Sequence, residues 1–205
     1  MSSAPESAEL AALIGGLGSP DPTNRERCAR ELFGRGRELA QVATRNWFAD
    51  ADLAAYFVLD ASKFPVTTVG IAVAPETFER VRAANGSPRL ADVPPDQDAK
   101  EFELHFAQGI RLDILTTRER GGAGAIARYL QKLGEGIQQV ELLVRDIDAA
   151  TEILRSRFGV QPIYAATRPG ADGTRVNFFL VSLPQKAPEQ GKILVELVEP
   201  AAPKK

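Results

Sequence analysis

Cysteine is nearly absent: of 205 residues only Cys28 is one, which excludes an internal disulfide and a thiolate metal cluster. Beside Ala29 and Leu32 on a helical pattern, that thiol is expected to pack rather than react. A basic surplus is also missing, since 25 Lys and Arg face 27 Asp and Glu for a net charge of −2. Nucleic-acid binding, which needs a clustered basic face, is therefore not expected. Arg25, Arg27, Arg30, Arg35 and Arg37 alternate with acids along one stretch and read as a solvated helix face. No apolar run approaches about 18 residues, so no membrane span is expected. The first ten residues hold two glutamates and no basic segment, so no secretory signal is expected and the cytoplasm is the expected location.

What is present suits a globular chain, 44% hydrophobic and 25% charged. Residues 1–7 are small and polar and read as an unstructured lead. A short helix is expected over 9–17, then a longer one over 23–48, with Thr23 and Glu26 at the spacing of a capping box. Gly34 and Gly36 predict a bend or break in its middle. The glycine and proline punctuation of this pair resembles one helical hairpin of the HEAT type. One such unit cannot bury its own core, so it reads as an arm against the main domain or a partner. Residues 52–59 fit a helix or a short strand equally.

Beyond Pro65 the texture becomes β-rich. Strands are expected over 66–73, 101–106 and 110–116, the last two a hairpin around Ala107-Gln108-Gly109, with a helix from Pro75 to the Asn85-Gly86 stop. After a short helix at 125–133 the order repeats: strand 137–144, helix 148–158 ended by Gly159, then strands 160–164, 174–183 and 192–199. The two halves predict an internal duplication. The domains are expected at 1–60 (helical arm), 61–120 (first module) and 121–205 (second module).

The segments "AIARYLQKLGEGIQQVELLVRDIDAATEILRSRFGV", "RPGADGTRVNFFLV" and "KILVELVEP" are similar to the vicinal oxygen chelate superfamily, and within it to methylmalonyl-CoA epimerase-like proteins. "TTVGIAV" and "GIRLDILTT" extend the resemblance over the first module. It implies an α+β fold, paired βαβββ modules forming a cup-shaped mixed sheet, here with an N-terminal helical extension. It also implies four metal ligands at Thr68, Asp113, Gln139 and Glu196. Thr68 and Gln139 stand where the family carries histidines, so the set is all oxygen and would suit Mg²⁺, Mn²⁺ or Ca²⁺ weakly. The cofactor is left open between such an ion and none. The family's general base falls near Gln97, between Asp96 and Asp98, and glutamine takes no proton.

Strand alternation adds a polar row. Glu101, Glu103 and His105 on one strand, with Arg111 and Asp113 on the next, share a face, pairing His105 with Arg111 and Glu103 with Asp113. Gln139 and Glu141 share a face of their strand. Two functions follow. One is a lyase or isomerase acting on a small carbonyl or acyl-CoA compound through an oxygen-rich divalent site, with Glu141 or His105 as acid or base and Glu103 and Arg111 as cavity wall. The other is a metal-free protein that binds a small molecule in the same cup without catalysis. A small-molecule ligand is the expected partner, neither nucleic acid nor membrane is expected, and a homodimer is left open. Arg168 and Arg175 could meet a ligand phosphate or carboxylate, or serve the surface.

Overall fold

The computed structural model describes residues 4–119, 121–183 and 191–201. The rest of the lead at 1–3 and the ends of the second module at 184–190 and 202–205 lie outside them. No helix among the described residues is long and apolar enough to cross a membrane. The chain forms two compact units, Met1–Gly36 with Thr68–Gln138 and Arg37–Thr67 with Gln139–Lys205.

The first unit holds α1 (Ala4–Gly16), most of α2 (Pro22–Ala43), β1 (Thr67–Ala72), α4 (Pro75–Ala84), β2 (Ala99–Phe106), β3 (Ile110–Thr117) and α5 (Ala125–Leu133). β3 runs parallel to β1 and antiparallel to β2. Val69, Ile71, Phe102, Leu112 and Ile114 are fully buried on one sheet face, where Phe78 of α4 meets Phe102 edge-on at 4.8 Å. Each such side chain contributes roughly 1.5–3 kcal/mol by leaving water. No strand forms between α4 and β2. A loop takes its place, tied by the Ala91 N–H to the Glu101 carbonyl at 3.0 Å.

The second unit repeats that plan in full. β4 (Gly136–Leu143) and β7 (Lys192–Glu199) pair in parallel, β6 (Arg175–Ser182) pairs antiparallel with β7, and β5 (Arg168–Pro169) pairs antiparallel with β6. α6 (Ile147–Phe158) starts at the Asp146 cap and ends on Gly159 at φ 65°. Val140, Leu142, Phe179, Val195 and Leu197 are fully buried on the side of α6. The expected strand at 160–164 is reduced to one bridge, Pro162 to Phe179. Proline has no N–H to continue a ladder, and only the Ile163 N–H reaches the Phe178 carbonyl, at 2.7 Å.

The arm departs from expectation in three places. α1 begins at Ala4, inside the lead read as unstructured. α2 runs unbroken through Gly34 and Gly36. Its cap is Asp21, whose carboxylate accepts the Thr23 N–H at 2.9 Å, with Pro22 in the first helical position; Glu26 instead pairs with Arg30 at 2.9 Å. Residues 52–59 resolve into both alternatives. A one-turn α3 (Ala51–Ala54) is capped by Asp50, then Phe57 bridges Val144 in extended conformation. The arm is anchored within each unit. In the first, Asn85 Nδ2 donates to the Leu17 carbonyl at 2.9 Å. In the second, Trp47 packs edge-on against Phe179 at 6.0 Å. Arg27 and Arg30 of α2 are exposed and pair with Glu31 and Glu26, whereas Arg25 is half-buried and donates to the Ser19 carbonyl at 2.8 Å and Arg37 is half-buried against Asp60 and the Phe64 ring. Cys28 is buried, and burial pushes its thiol pKa up.

Gly36 is the closest approach of the arm. A Cβ there would lie 2.4 and 2.5 Å from the two γ-methyls of Val69, whereas a Cβ at Gly34 meets nothing within 4 Å. Val69 is β-branched and fully buried, so it has no rotamer to retreat to. Gly34→Ala should stabilise the protein by up to about 1 kcal/mol, the helix-propensity gain. Gly36→Ala should destabilise it by roughly 1–3 kcal/mol through overpacking. Urea-unfolding midpoints of the two variants check the opposite signs.

Candidate functional site

With one face of each sheet sealed, the polar side chains collect on the other. In the second unit that face carries Gln139 and Glu141 from β4, Leu194, Glu196 and Val198 from β7, Val176, Phe178 and Leu180 from β6, and Arg168 from β5, as the strand registers require. Glu141 and Glu196 are direct partners across β4 and β7, and Phe178 is the partner of Glu196 across β6. Gln139 Nε2 donates to Glu196 Oε2 at 2.6 Å and to Glu141 Oε1 at 3.2 Å. Gln139 and Glu196 are buried and Glu141 half-buried. An apolar shelf flanks this cluster: Phe178 is half-buried, and Leu180 is 52% exposed. At its edge Tyr164 meets Phe178 edge-on at 6.0 Å, and the Arg168 guanidinium lies over the Tyr164 ring at 4.4 Å.

The first unit gathers its polar row in the same way. Glu103 is the β2 partner of Asp113, His105 that of Arg111, and Gly70 of β1 stands opposite Asp113. Thr68 lies two residues before Gly70, on the same face, and both Thr68 and Asp113 are buried. His105 Nε2 is 2.6 Å from Glu103 Oε2, with side chains 58% and 51% exposed. In the segment where the resemblance implies a base, Asp98 adopts a left-handed backbone at φ 45°. A Cβ on Gly122 or Gly124 would meet the Asp98 carboxylate at 2.7 or 2.6 Å, so those glycines admit it.

The sheet plan has solved counterparts. The methylmalonyl-CoA epimerase of Mycobacterium tuberculosis is 34% identical over 66% of this chain and 87% of its own, with a TM-score of 0.52. The chain belongs to the vicinal oxygen chelate superfamily. Methylmalonyl-CoA epimerase of Streptomyces coelicolor in complex with 2-nitronate-propionyl-CoA is 25% identical over 72% of this chain and 99% of its own, TM-score 0.50. An epimerase in complex with methylmalonyl-CoA and NH4+ is 26% identical over 67% and 95%, TM-score 0.50. No family model and no curated protein matches the chain.

For a vicinal oxygen chelate protein the test is whether the residues at the ligand positions fit a divalent ion. They do not fit one. Gln139 turns its NH2 inward, donating to both carboxylates. A ligating glutamine would offer its carbonyl oxygen instead. Thr68 and Asp113 add one neutral and one charged oxygen in the other unit. Among the described residues no three His, Cys, Asp or Glu side chains are placed to hold one ion.

The sequence pattern named the polar members of this superfamily face but passed over Phe178 and Leu180, whose alternation with buried Phe179 was the available signal. The two arginines of the 168–175 loop part company. Arg168 stays on the candidate face. Arg175 pairs with Asp148 of α6, and with Glu199 at 3.2 Å. Hydrogen bonds from Thr167 and then Arg175 hold the Asp148 carboxyl below its ordinary value of 3.8. A depressed folded pKa gives stability that is present above the unfolded value and lost as pH falls through the folded one. Asp148 should therefore titrate below 3.8 in the native chain and move up toward that value in Arg175→Ala, read from carboxyl ¹³C shifts between neutral pH and acid.

Proposed function

We propose that this protein binds a small acyl-CoA thioester on the helix-free face of its second unit, without a resident divalent metal. The observation that carries this reading is the apolar shelf of Phe178, Leu180 and Leu194 directly beside Glu196. Such a surface suits an acyl group and the methylene segments of the arm behind its thioester: each 100 Å² of apolar area covered is worth roughly 2.5 kcal/mol. Relatives crystallised with 2-nitronate-propionyl-CoA and with methylmalonyl-CoA support the ligand class. Arg168, on the same face, supplies a cation and five N–H donors for a phosphate or carboxylate of the ligand.

A second reading keeps the chemistry of those epimerases. Glu141, half-buried beside Glu196, would take or return the proton next to the thioester carbonyl. His105, in the first unit, would be the alternative acid or base. The preserved carboxylate at Glu196 favours it, and the amide at Gln139 disfavours it.

Calorimetric titration with propionyl-CoA in EDTA separates the two. Binding in chelator, weakened at least about tenfold (about 1.4 kcal/mol) by Leu180→Asp, is the expected result. No binding until a divalent ion is added would overturn it. Incubation with propionyl-CoA in D₂O, followed by proton NMR, tests the isomerase reading: enzyme-dependent loss of the signal next to the carbonyl would establish proton transfer.

A further inference from the structure

We infer that the side-chain amide of Gln139 does a cation's work in the second unit, holding Glu141 and Glu196 together, and that one substitution at position 139 would turn this cluster into a divalent-metal site. The two carboxylates are opposite partners on parallel strands β4 and β7, so both project to one face from neighbouring backbones. Gln139 reaches both, at 2.6 and 3.2 Å. Its amide turns the NH2 toward both, and each carboxylate oxygen accepts from it. The other register neighbours of Glu196 on this face, Phe178 from β6 and Leu194 and Val198 along β7, carry no polar side-chain atom. Gln138 lies next along β4 and so points to the opposite face.

A divalent ion between two carboxylates and one further side chain would need exactly the room and direction that the Gln139 NH2 now fills, but a lone pair in place of the N–H. Histidine supplies it through either ring nitrogen, and one imidazole with two carboxylates suits a first-row divalent ion. A glutamate supplies it as an oxygen, suited to Mn²⁺ or Ca²⁺, and removes the only N–H donor that the cluster's own three side chains provide.

The test uses the full chain in three forms: native, Gln139→His and Gln139→Glu. Each is titrated with Co²⁺ and Mn²⁺ alone, and melting temperatures are compared in EDTA and in metal. The native chain should show no visible Co²⁺ band and no metal-dependent melting shift. Gln139→His should develop a Co²⁺ absorption band and bind the ion roughly 100-fold more tightly than the native chain. Gln139→Glu should melt below the native chain in EDTA and recover in Mn²⁺ or Ca²⁺. A native chain that takes up Co²⁺ as tightly as Gln139→His overturns the inference, as does a folded Gln139→His chain that takes up none. Should that variant not fold, Gln139→Glu decides alone, and indifference to both EDTA and metal overturns it. Metal uptake is read without an organic ligand, so it holds or fails independently of acyl-CoA binding.

Discussion

The two-residue period of the β-strand is the constraint on which the rest depends. Once Phe78 seals Phe102 in one unit, and Trp47 meets Phe179 in the other, one face of each sheet is dry and every alternate residue must leave it. The polar and half-buried residues of β1, β2, β3, β4, β6 and β7 have no other place to go. A one-residue slip in β3 or β7 would drive Asp113 or Glu196 under a helix and expose Ile114 or Val195. Such a slip costs several kcal/mol per buried charge left without its partners, which pins the register and hence the site.

The two units show how one plan diverges. Gly70 stands opposite Asp113 across β1 and β3, and Glu141 stands opposite Glu196 across β4 and β7. Likewise the β2 partner of Asp113 is Glu103, and the β6 partner of Glu196 is Phe178. The acid in mid-strand, Asp113 of β3 and Glu196 of β7, is common to both, but its company is reversed. In the first unit the neighbour on the parallel strand is bare and the antiparallel one charged. In the second the parallel neighbour is charged and the antiparallel one aromatic. The second unit thus sets an apolar shelf against its pair of carboxylates, the feature on which the proposed ligand binding rests.

Much of this was legible in the residues. The alternation of apolar and polar side chains in 101–106 and 110–116 fixed the hairpin pairs before any coordinates, because an odd turn, with Gln108 and Gly109 both at positive φ, leaves no other register. Three features were not legible, each for a physical reason. Gly34 and Gly36 looked like a helix break, but close packing of α2 on Val69 rewards the missing side chain at Gly36. Residues 160–164 looked like a strand, but Pro162 withholds the donor. Thr23 and Glu26 had the spacing of a capping box, but Asp21, two residues before Thr23, takes the cap with proline behind it. In each case the local pattern was right about the chemistry and wrong about which neighbour would meet it. The contact between Gln139 and Glu196 joins residues 57 apart in sequence, and no periodicity within β4 can show that partner.

That contact also explains how the site does without histidine. Two carboxylates on adjacent strands, about 5 Å apart in a partly buried setting of effective dielectric near 20, repel by roughly 3 kcal/mol. Two hydrogen bonds from an amide to ionised acceptors return about 1.5–3 kcal/mol each, enough to offset it without any ion. An imidazole at the same position would hold a metal at neutral pH but would let go when protonated near its ordinary pKa of about 6.5. Glutamine has no such transition. Gln139 therefore offers neither an imidazole nitrogen nor its pH sensitivity. What remains is a carboxylate pair joined by one amide beside an apolar shelf.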